Sequence, residues 1–415
     1  MSAGESDEDD DDDEEEAAPD FSAASLAVLS QRLDSLRDSA SAERVQEIMD
    51  AAANWKSGRC AQRVVCILDD WIRRLDVLDG TLACGTYTGD VALVDIATGS
   101  LVDSWDTTVW DTAESDTEYD GQSEITAIRL CLSSAAGGGE ASAAAAAEQQ
   151  QQLHVLSGDA AGTVYMRVKG QATPLLRATH RAPVSGVHYD GVSRLYSASL
   201  DSRLACYDLS DLPSSSRGDA ASQDQLPSST LSLREPILQM STFENYAALA
   251  LSDGSVSLVT LSPLRTLFTF RAHTKAATTA VCLMTSSQLV TGAADGTVCL
   301  WRLDEDGDSD RRCTTFEGHQ GPVVCLYADG EKVVSGSRDG SVRVWEAETG
   351  QSRFVLHGYT NYIGSLHVSP TSLLSDGTNN AVIQLDFTEE AVREQQEQQQ
   401  EEDEEDEGDG GLGGE

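Results

Sequence analysis

The sequence predicts an all-β chain: a seven-bladed propeller with a short helical segment ahead of it and disordered acidic termini. Three features predict it. One segment recurs with a period in the forties, its strands alternate between Asp-Gly turns, and the densest charge runs lie at the two ends.

The recurrence is clearest between two stretches. One carries Gly318-His319-Gln320-Gly321-Pro322, then Val333-Val334-Ser335-Gly336-Ser337-Arg338-Asp339-Gly340-Ser341-Val342-Arg343-Val344-Trp345. The other carries His273, then Leu289-Val290-Thr291-Gly292-Ala293-Ala294-Asp295-Gly296-Thr297-Val298-Cys299-Leu300-Trp301, so that Trp301 and Trp345 stand 44 residues apart. Val342 and Val344 alternate with Arg343 and Trp345, the period of two that puts apolar side chains on one face of a strand. Asp-Gly recurs at 79–80, 190–191, 253–254, 295–296, 329–330 and 339–340, and glycine accepts the positive φ that a tight hairpin needs.

Counting outward from this pair gives seven units. The first spans 71–105. The second spans 125–177 and is interrupted by a low-complexity insert at 133–152. The third centres on His180, Ser197, Asp201 and Tyr207, and the fourth spans 237–270. The clear pair is the fifth and sixth, and the seventh spans 362–387 but lacks an outer strand. Gln62-Arg63-Val64-Val65-Cys66-Ile67, just ahead of the first unit, is a strand of the right length to fill that place and close the ring. The resulting organisation is an acidic disordered tail at 1–20, a helical segment at 21–57, the propeller at 58–388, and a disordered Gln/Glu-rich tail at 389–415. Leu26, Leu29, Leu33 and Leu36 share one face of the helical segment. The Ser-rich stretch 211–232 and the acidic stretch 114–119 read as surface loops.

Charge and cysteine usage bound the function classes. Net charge is −42, and residues 5–20 hold a dozen acidic side chains with no basic one. Such runs repel themselves and bury nothing. They also argue against direct binding of nucleic acid, and leave basic proteins as a partner class for the tails. The nine cysteines are scattered and form no C-x-x-C pair, which suits reduced thiols and an expectation of cytoplasm or nucleus. No apolar run approaches the roughly 20 residues needed to span a bilayer. No catalytic or phosphate-cradling motif is visible, so the expectation is no enzyme, no metal and no cofactor.

His273, Thr291, Asp295 and Trp301 have counterparts in His319, Ser335, Asp339 and Trp345, and in His180, Ser197, Asp201 and Tyr207. A catalytic triad appears once, whereas this set repeats, which makes it structural. These segments resemble WD repeats over most of residues 60–387. The resemblance implies a chain of bonds in each blade, from Asp to His, His to Ser or Thr, and that hydroxyl to Trp.

The stretch Arg44-Val45-Gln46-Glu47-Ile48-Met49-Asp50-Ala51-Ala52-Ala53-Asn54-Trp55-Lys56-Ser57-Gly58-Arg59 is similar to the linker helix and following turn of F-box/WD-repeat proteins, the substrate receptors of cullin-based ubiquitin ligases. No F-box with its Leu-Pro start precedes it. The resemblance implies top-face arginines that bind an acidic or phosphorylated peptide, and Arg73 and Arg338 fall on such positions; Leu200, Ala294 and Ser252 occupy others. The expected function is a non-catalytic protein–protein interaction scaffold, a monomeric propeller working inside a complex. The alternative is a cullin-type substrate receptor.

Overall fold

A strand with one apolar face is stable only when another sheet covers it, and this chain meets that requirement by stacking seven small sheets in a ring. The computed structural model describes residues 42–107, 123–133, 152–171, 173–211, 224–303, 313–357 and 363–409. The expectations for the first tail, for the leucine face at 26–36, for the stretch 114–119 and for the interior of the insert lie outside these residues.

Each sheet is antiparallel and four-stranded, ordered outward from the centre. Blade one comprises β2 (Ile72–Leu78), β3 (Thr81–Thr86), β4 (Asp90–Asp95) and β5 (Leu101–Asp106). Blade two comprises β6 (Ile125–Ser133), β7 (Gln152–Asp159), β8 (Thr163–Val168) and β9 (Leu176–Thr179). Blade three comprises β10 (Val184–Tyr189), β11 (Arg194–Ser199), β12 (Arg203–Asp208) and β13 (Ser229–Ser232). Blade four comprises β14 (Ile237–Phe243), β15 (Tyr246–Leu251), β16 (Ser255–Thr260) and β17 (Arg265–Arg271). Blade five comprises β18 (Thr278–Thr285), β19 (Gln288–Ala293), β20 (Val298–Arg302) and β21 (Cys313–Phe316). Blade six comprises β22 (Val323–Ala328), β23 (Lys332–Ser337), β24 (Val342–Glu346) and β25 (Ser352–Leu356). Blade seven comprises β26 (Leu366–Val368), β27 (Ser372–Asp376), β28 (Ala381–Asp386) and β1 (Ala61–Ile67), the last drawn from the start of the chain.

The innermost strands contact one another in sequence, β2 with β6 and so on to β22 with β26, and β26 meets β2 again. Middle strands are buried on both faces and outer strands mostly exposed; β13, for example, is exposed at three of its four residues. That exposure explains a difference from the sequence reading. The end of the Ser-rich stretch 211–232 is a strand, because an outer strand needs hydrogen bonds to β12 and no apolar face. Neighbouring blades approach closely at small residues of the second strand. A Cβ on Gly158 would lie 2.4 Å from Val184 of blade three, and one on Gly292 would lie 2.5 Å from Val323 of blade six.

Two helices flank the ring. In α1 (Ala42–Ser57) the final turn docks: the Trp55 ring stacks on Phe387 at 3.7 Å, its Nε1 donates to the Pro370 carbonyl at 2.8 Å, and Asn54 Nδ2 donates to the Phe387 carbonyl at 2.9 Å. Gly58 then turns the chain at φ +73°, with Phe354 against it. The second helix, α2 (Glu389–Asp409), corrects the expectation of a tail without structure from residue 389. Thr388 accepts at its Oγ1 from the Ala391 amide, Glu389 and Glu390 sit in the positive first turn, and Val392 is buried, so the cap and one apolar anchor start a helix from strong helix formers.

Closure rests on β1, whose register with β28 runs from Ala61↔Asp386 to Ile67↔Ala381. A chain beginning at Asp69 is therefore expected to lose its cooperative thermal transition, because blade seven then exposes β28 and the seam opens. A melt of that truncated protein matching the intact one would refute closure as the source of stability.

Candidate functional site

The repeated polar sets come together inside their blades. In blade six, His319 Nδ1 lies 3.0 Å from Asp339 Oδ2, His319 Nε2 lies 2.8 Å from Ser335 Oγ, and Trp345 Nε1 donates to Ser335 Oγ at 2.8 Å. In blade three, His180 meets Asp201 at 3.2 Å and Ser197 at 2.7 Å, and the buried Tyr207 hydroxyl bonds Ser197 in the tryptophan's stead. Blade five differs in one link. His273 meets Thr291 at 2.8 Å and Trp301 donates to Thr291 at 2.9 Å, but His273 Nδ1 bonds Thr297, which in turn donates to Asp295. Asp295 therefore reaches the ring through a hydroxyl, not directly. Burial lowers the pKa of all three histidines, so near neutral pH each ring is uncharged. These networks sit within the blades, where they satisfy buried groups and present no nucleophile to a substrate.

The other predicted residues meet at the centre. Arg73 and Arg338 line one cavity of about 550 Å³, walled by the inner strands of all seven blades. Arg338 stands in the exposed turn between β23 and β24, and Arg73 at the start of β2. Sequence reasoning missed two further arginines in the same wall, Arg74 and Arg129, and one acid, Glu124. Arg74 joins Arg73 because the register shifts between Ile72 and Arg74; this bulge breaks the strand alternation, so consecutive side chains reach the same space. Arg129 carried a signal: it is a charged residue inside the apolar strand β6, and its side chain is 53% exposed there.

Each arginine is positioned by its surroundings. Arg73 Nε donates to Glu124 at 2.6 Å, and its guanidinium lies over the Tyr87 ring at 5.6 Å. Arg74 donates to the carbonyls of Thr126 and Gly364. Arg129 Nε approaches Asp76 at 4.0 Å, and Asp76 also takes the Leu130 amide and faces His367 at 3.3 Å. Burial pushes the Asp76 carboxyl up, but His367, Arg129 and the Leu130 amide outweigh it and hold the pKa below its ordinary value. Among the described residues no group of three or more His, Cys, Asp or Glu is placed to hold a metal ion.

Comparison with known proteins fits the repeat. The family described as "WD domain, G-beta repeat" matches residues 264–302 and 310–346, each span running from the outer strand of one blade, β17 or β21, through the first three strands of the next. The chain carries WD repeats within a seven-bladed propeller. WD-repeat propellers are a general protein-interaction fold. Angio-associated migratory cell protein of Canis lupus familiaris is 33% identical over 103 residues, 23% of this chain and 22% of that protein. An uncharacterised WD repeat-containing protein of Schizosaccharomyces pombe is 31% identical over 97 residues, 21% of this chain and 26% of the other. The match thus spans about a fifth to a quarter of those relatives' length. The crystal structure of the computationally designed Ika8 protein has a TM-score of 0.52 at 19% identity, covering 78% of this chain and 99% of that one, a likeness of fold alone.

Other blades replace the network. In blade two, Arg167 fills the tryptophan position, buried between the Trp105 and Tyr165 rings. In blade four, Leu249 stands at the serine position, and the 3.0 Å bond from Ser252 to Glu235 lies at the turn that holds Arg338 in blade six.

Ser335→Ala would strip the partner from both His319 Nε2 and Trp345 Nε1, so it should cost about 2 kcal/mol in a denaturant melt, against about 0.5 kcal/mol or less for an exposed serine such as Ser210. Acid should destabilise the propeller from about pH 6.5 downward. His154, His180, His188, His273 and His319 all have lowered folded pKa values, His188 to about 4, so the unfolded chain takes up their protons first and stability falls with pH. Asp376, raised to about 6 by burial, and Asp90, also raised by burial, pull the other way but are two groups against five. A melting temperature that rises between pH 6.5 and 5 would contradict this.

Proposed function

We propose that the chain is a non-catalytic interaction scaffold whose channel mouth receives an acidic or phosphorylated segment of a partner protein. The observation that carries this reading is the mouth itself: four arginines line one cavity against Glu124, in a chain of net charge −42. The planar forks of guanidinium groups suit carboxylate and phosphate oxygens. A phosphate, with up to two negative charges and three acceptor oxygens, engages several arginines where one carboxylate engages one.

A second reading, the substrate receptor of a cullin-type ubiquitin ligase, draws on α1. Its Asn54 and Trp55 fix the helix to the ring beside the turn between β26 and β27, at the opposite end of the blades from Arg338. A helix held rigidly there would set a recruiting module at a constant distance from a client in the mouth.

The test is affinity purification of the tagged full chain, with and without phosphatase, beside the Arg73→Glu/Arg338→Glu double variant. The mouth reading expects recovery of the main partner to drop about tenfold or more in the variant, since reversing two contacting charges exceeds 1.4 kcal/mol. Unchanged recovery refutes it. A cullin and its adaptor among the recovered proteins would establish the receptor role, and one stoichiometric complex without them the scaffold.

A further inference from the structure

Beside the mouth stands a second feature that neither the repeat nor the ring requires. Trp71 is 64% exposed, the largest side chain among the exposed apolar residues described. Scattered single hydrophobics are ordinary on a protein surface, but Trp71 is held unlike a scattered residue. Its carbonyl accepts from the Tyr87 amide at 2.9 Å. Its neighbour Asp70 accepts from the Thr88 amide at 2.7 Å and the Thr88 hydroxyl at 2.8 Å. The backbone on both sides of the indole is therefore tied to the turn between β3 and β4.

The indole also belongs to an assembly. The Tyr87 ring lies 5.9 Å from it at 48°, and the Arg73 guanidinium lies 5.6 Å from the same ring. Arg73 is oriented from its far side by Glu124 and lines the arginine cavity. Tryptophan, tyrosine and arginine, pre-positioned and next to one another, are the residue types that carry most of the energy at protein interfaces.

We propose that this corner of blade one reads an apolar ring side chain that flanks the acidic group of the partner segment. The proposal rests on the reading of the mouth as an acid-binding site, and it adds which neighbours that acid must have. The Tyr87 ring bridges the two, 5.9 Å from the indole and 5.6 Å from the Arg73 guanidinium, and residues two to three apart on an extended ligand, roughly 7 to 10 Å, span such a pair. With the acid at Arg73, a ring one to three residues away reaches Trp71. Glu124 fits the same logic. A ligand bearing one carboxylate gains little by displacing a tethered one from Arg73, so the stacking contact and a doubly charged phosphate favour the partner over the resident acid.

The test uses the purified full chain on an array of phosphoserine-centred peptides, every flanking position varied, with unphosphorylated copies. The best sequence is then titrated by fluorescence anisotropy against the wild type, Trp71→Ala, Trp71→Phe and Arg338→Glu. The expected result is a preference for Phe, Tyr, Trp or Pro within three residues of the phosphoserine. Trp71→Ala should remove that preference and weaken binding about tenfold, and Trp71→Phe should restore most of both. Trp71 is exposed, so melts of its variants should match the wild type. Binding that falls with Arg338→Glu but ignores Trp71→Ala overturns the corner and leaves the mouth intact. Absence of binding, or binding indifferent to Arg338→Glu, overturns both.

Discussion

The structure depends on one pairing between distant parts of the chain, β1 against β28. A four-stranded sheet of this size buries only part of either face, so no blade is stable alone and the ring must close on itself. Closure by a strand from the beginning of the chain places Cys66 against Val382 and Ile67 against Ala381. The seam is then buttressed from both sides. Val65 packs with Leu75, Leu82 and Leu374 on one side of it. On the other, Trp55 and Phe387 stack under a cluster that includes Val334, Val344 and Leu385. The same segment that completes the last blade thus anchors the helix ahead of it, and what stabilises the ring also fixes the direction in which the chain leaves it.

The polar networks solve a second problem, that of ending a blade's middle strands in a buried place. A neutral histidine offers one donor and one acceptor, a hydroxyl the reverse, and an indole one donor. Arranged from Asp339 through His319 and Ser335 to Trp345, they leave no group without a partner. Blade five shows that the direct bond from His to Asp is dispensable, because Thr297, like Ser341 in blade six, bonds both the histidine and the aspartate. Where the network is absent its positions change chemistry, as Leu249 of blade four and Arg167 of blade two show. The networks are therefore requirements of local burial and not a record of catalysis.

Much of this was legible in the sequence for a physical reason. Blade count, the closing strand and the polar sets follow from local patterns: a period of two, Asp-Gly turns, and spacings that a hairpin preserves. What lay beyond reading was of two kinds. The helix at 389–409 begins where a charge run suggested none, because one buried valine and a threonine cap outweigh the composition. At the mouth, Arg74, Arg129 and Glu124 come from different blades or from a bulge, and no single repeat contains them. A register shift of one residue between Ile72 and Arg74 decides whether two arginines or one face the channel, and hydrophobic alternation cannot announce it.

The mouth and the docked helix lie at opposite ends of the same strands. In blade six β23 begins at Lys332, whose ammonium sits 4.8 Å over the Trp55 ring, and ends at Ser337 beside Arg338. Five residue steps of strand separate them, roughly 17 Å. A ligand at Arg338 and an object attached through α1 would therefore be held apart by the rigid thickness of the propeller, without competing for one surface. The charge distribution has the same polarity of purpose. A chain of net charge −42 repels acidic molecules at long range, yet screening confines that repulsion to about 8 Å at physiological salt, while contacts at the arginines act within bonding distance. On the proposed function, such a surface rejects acidic polymers in general and retains an acid only where its neighbours fit, which is the selectivity that a partly aromatic corner beside four arginines would supply.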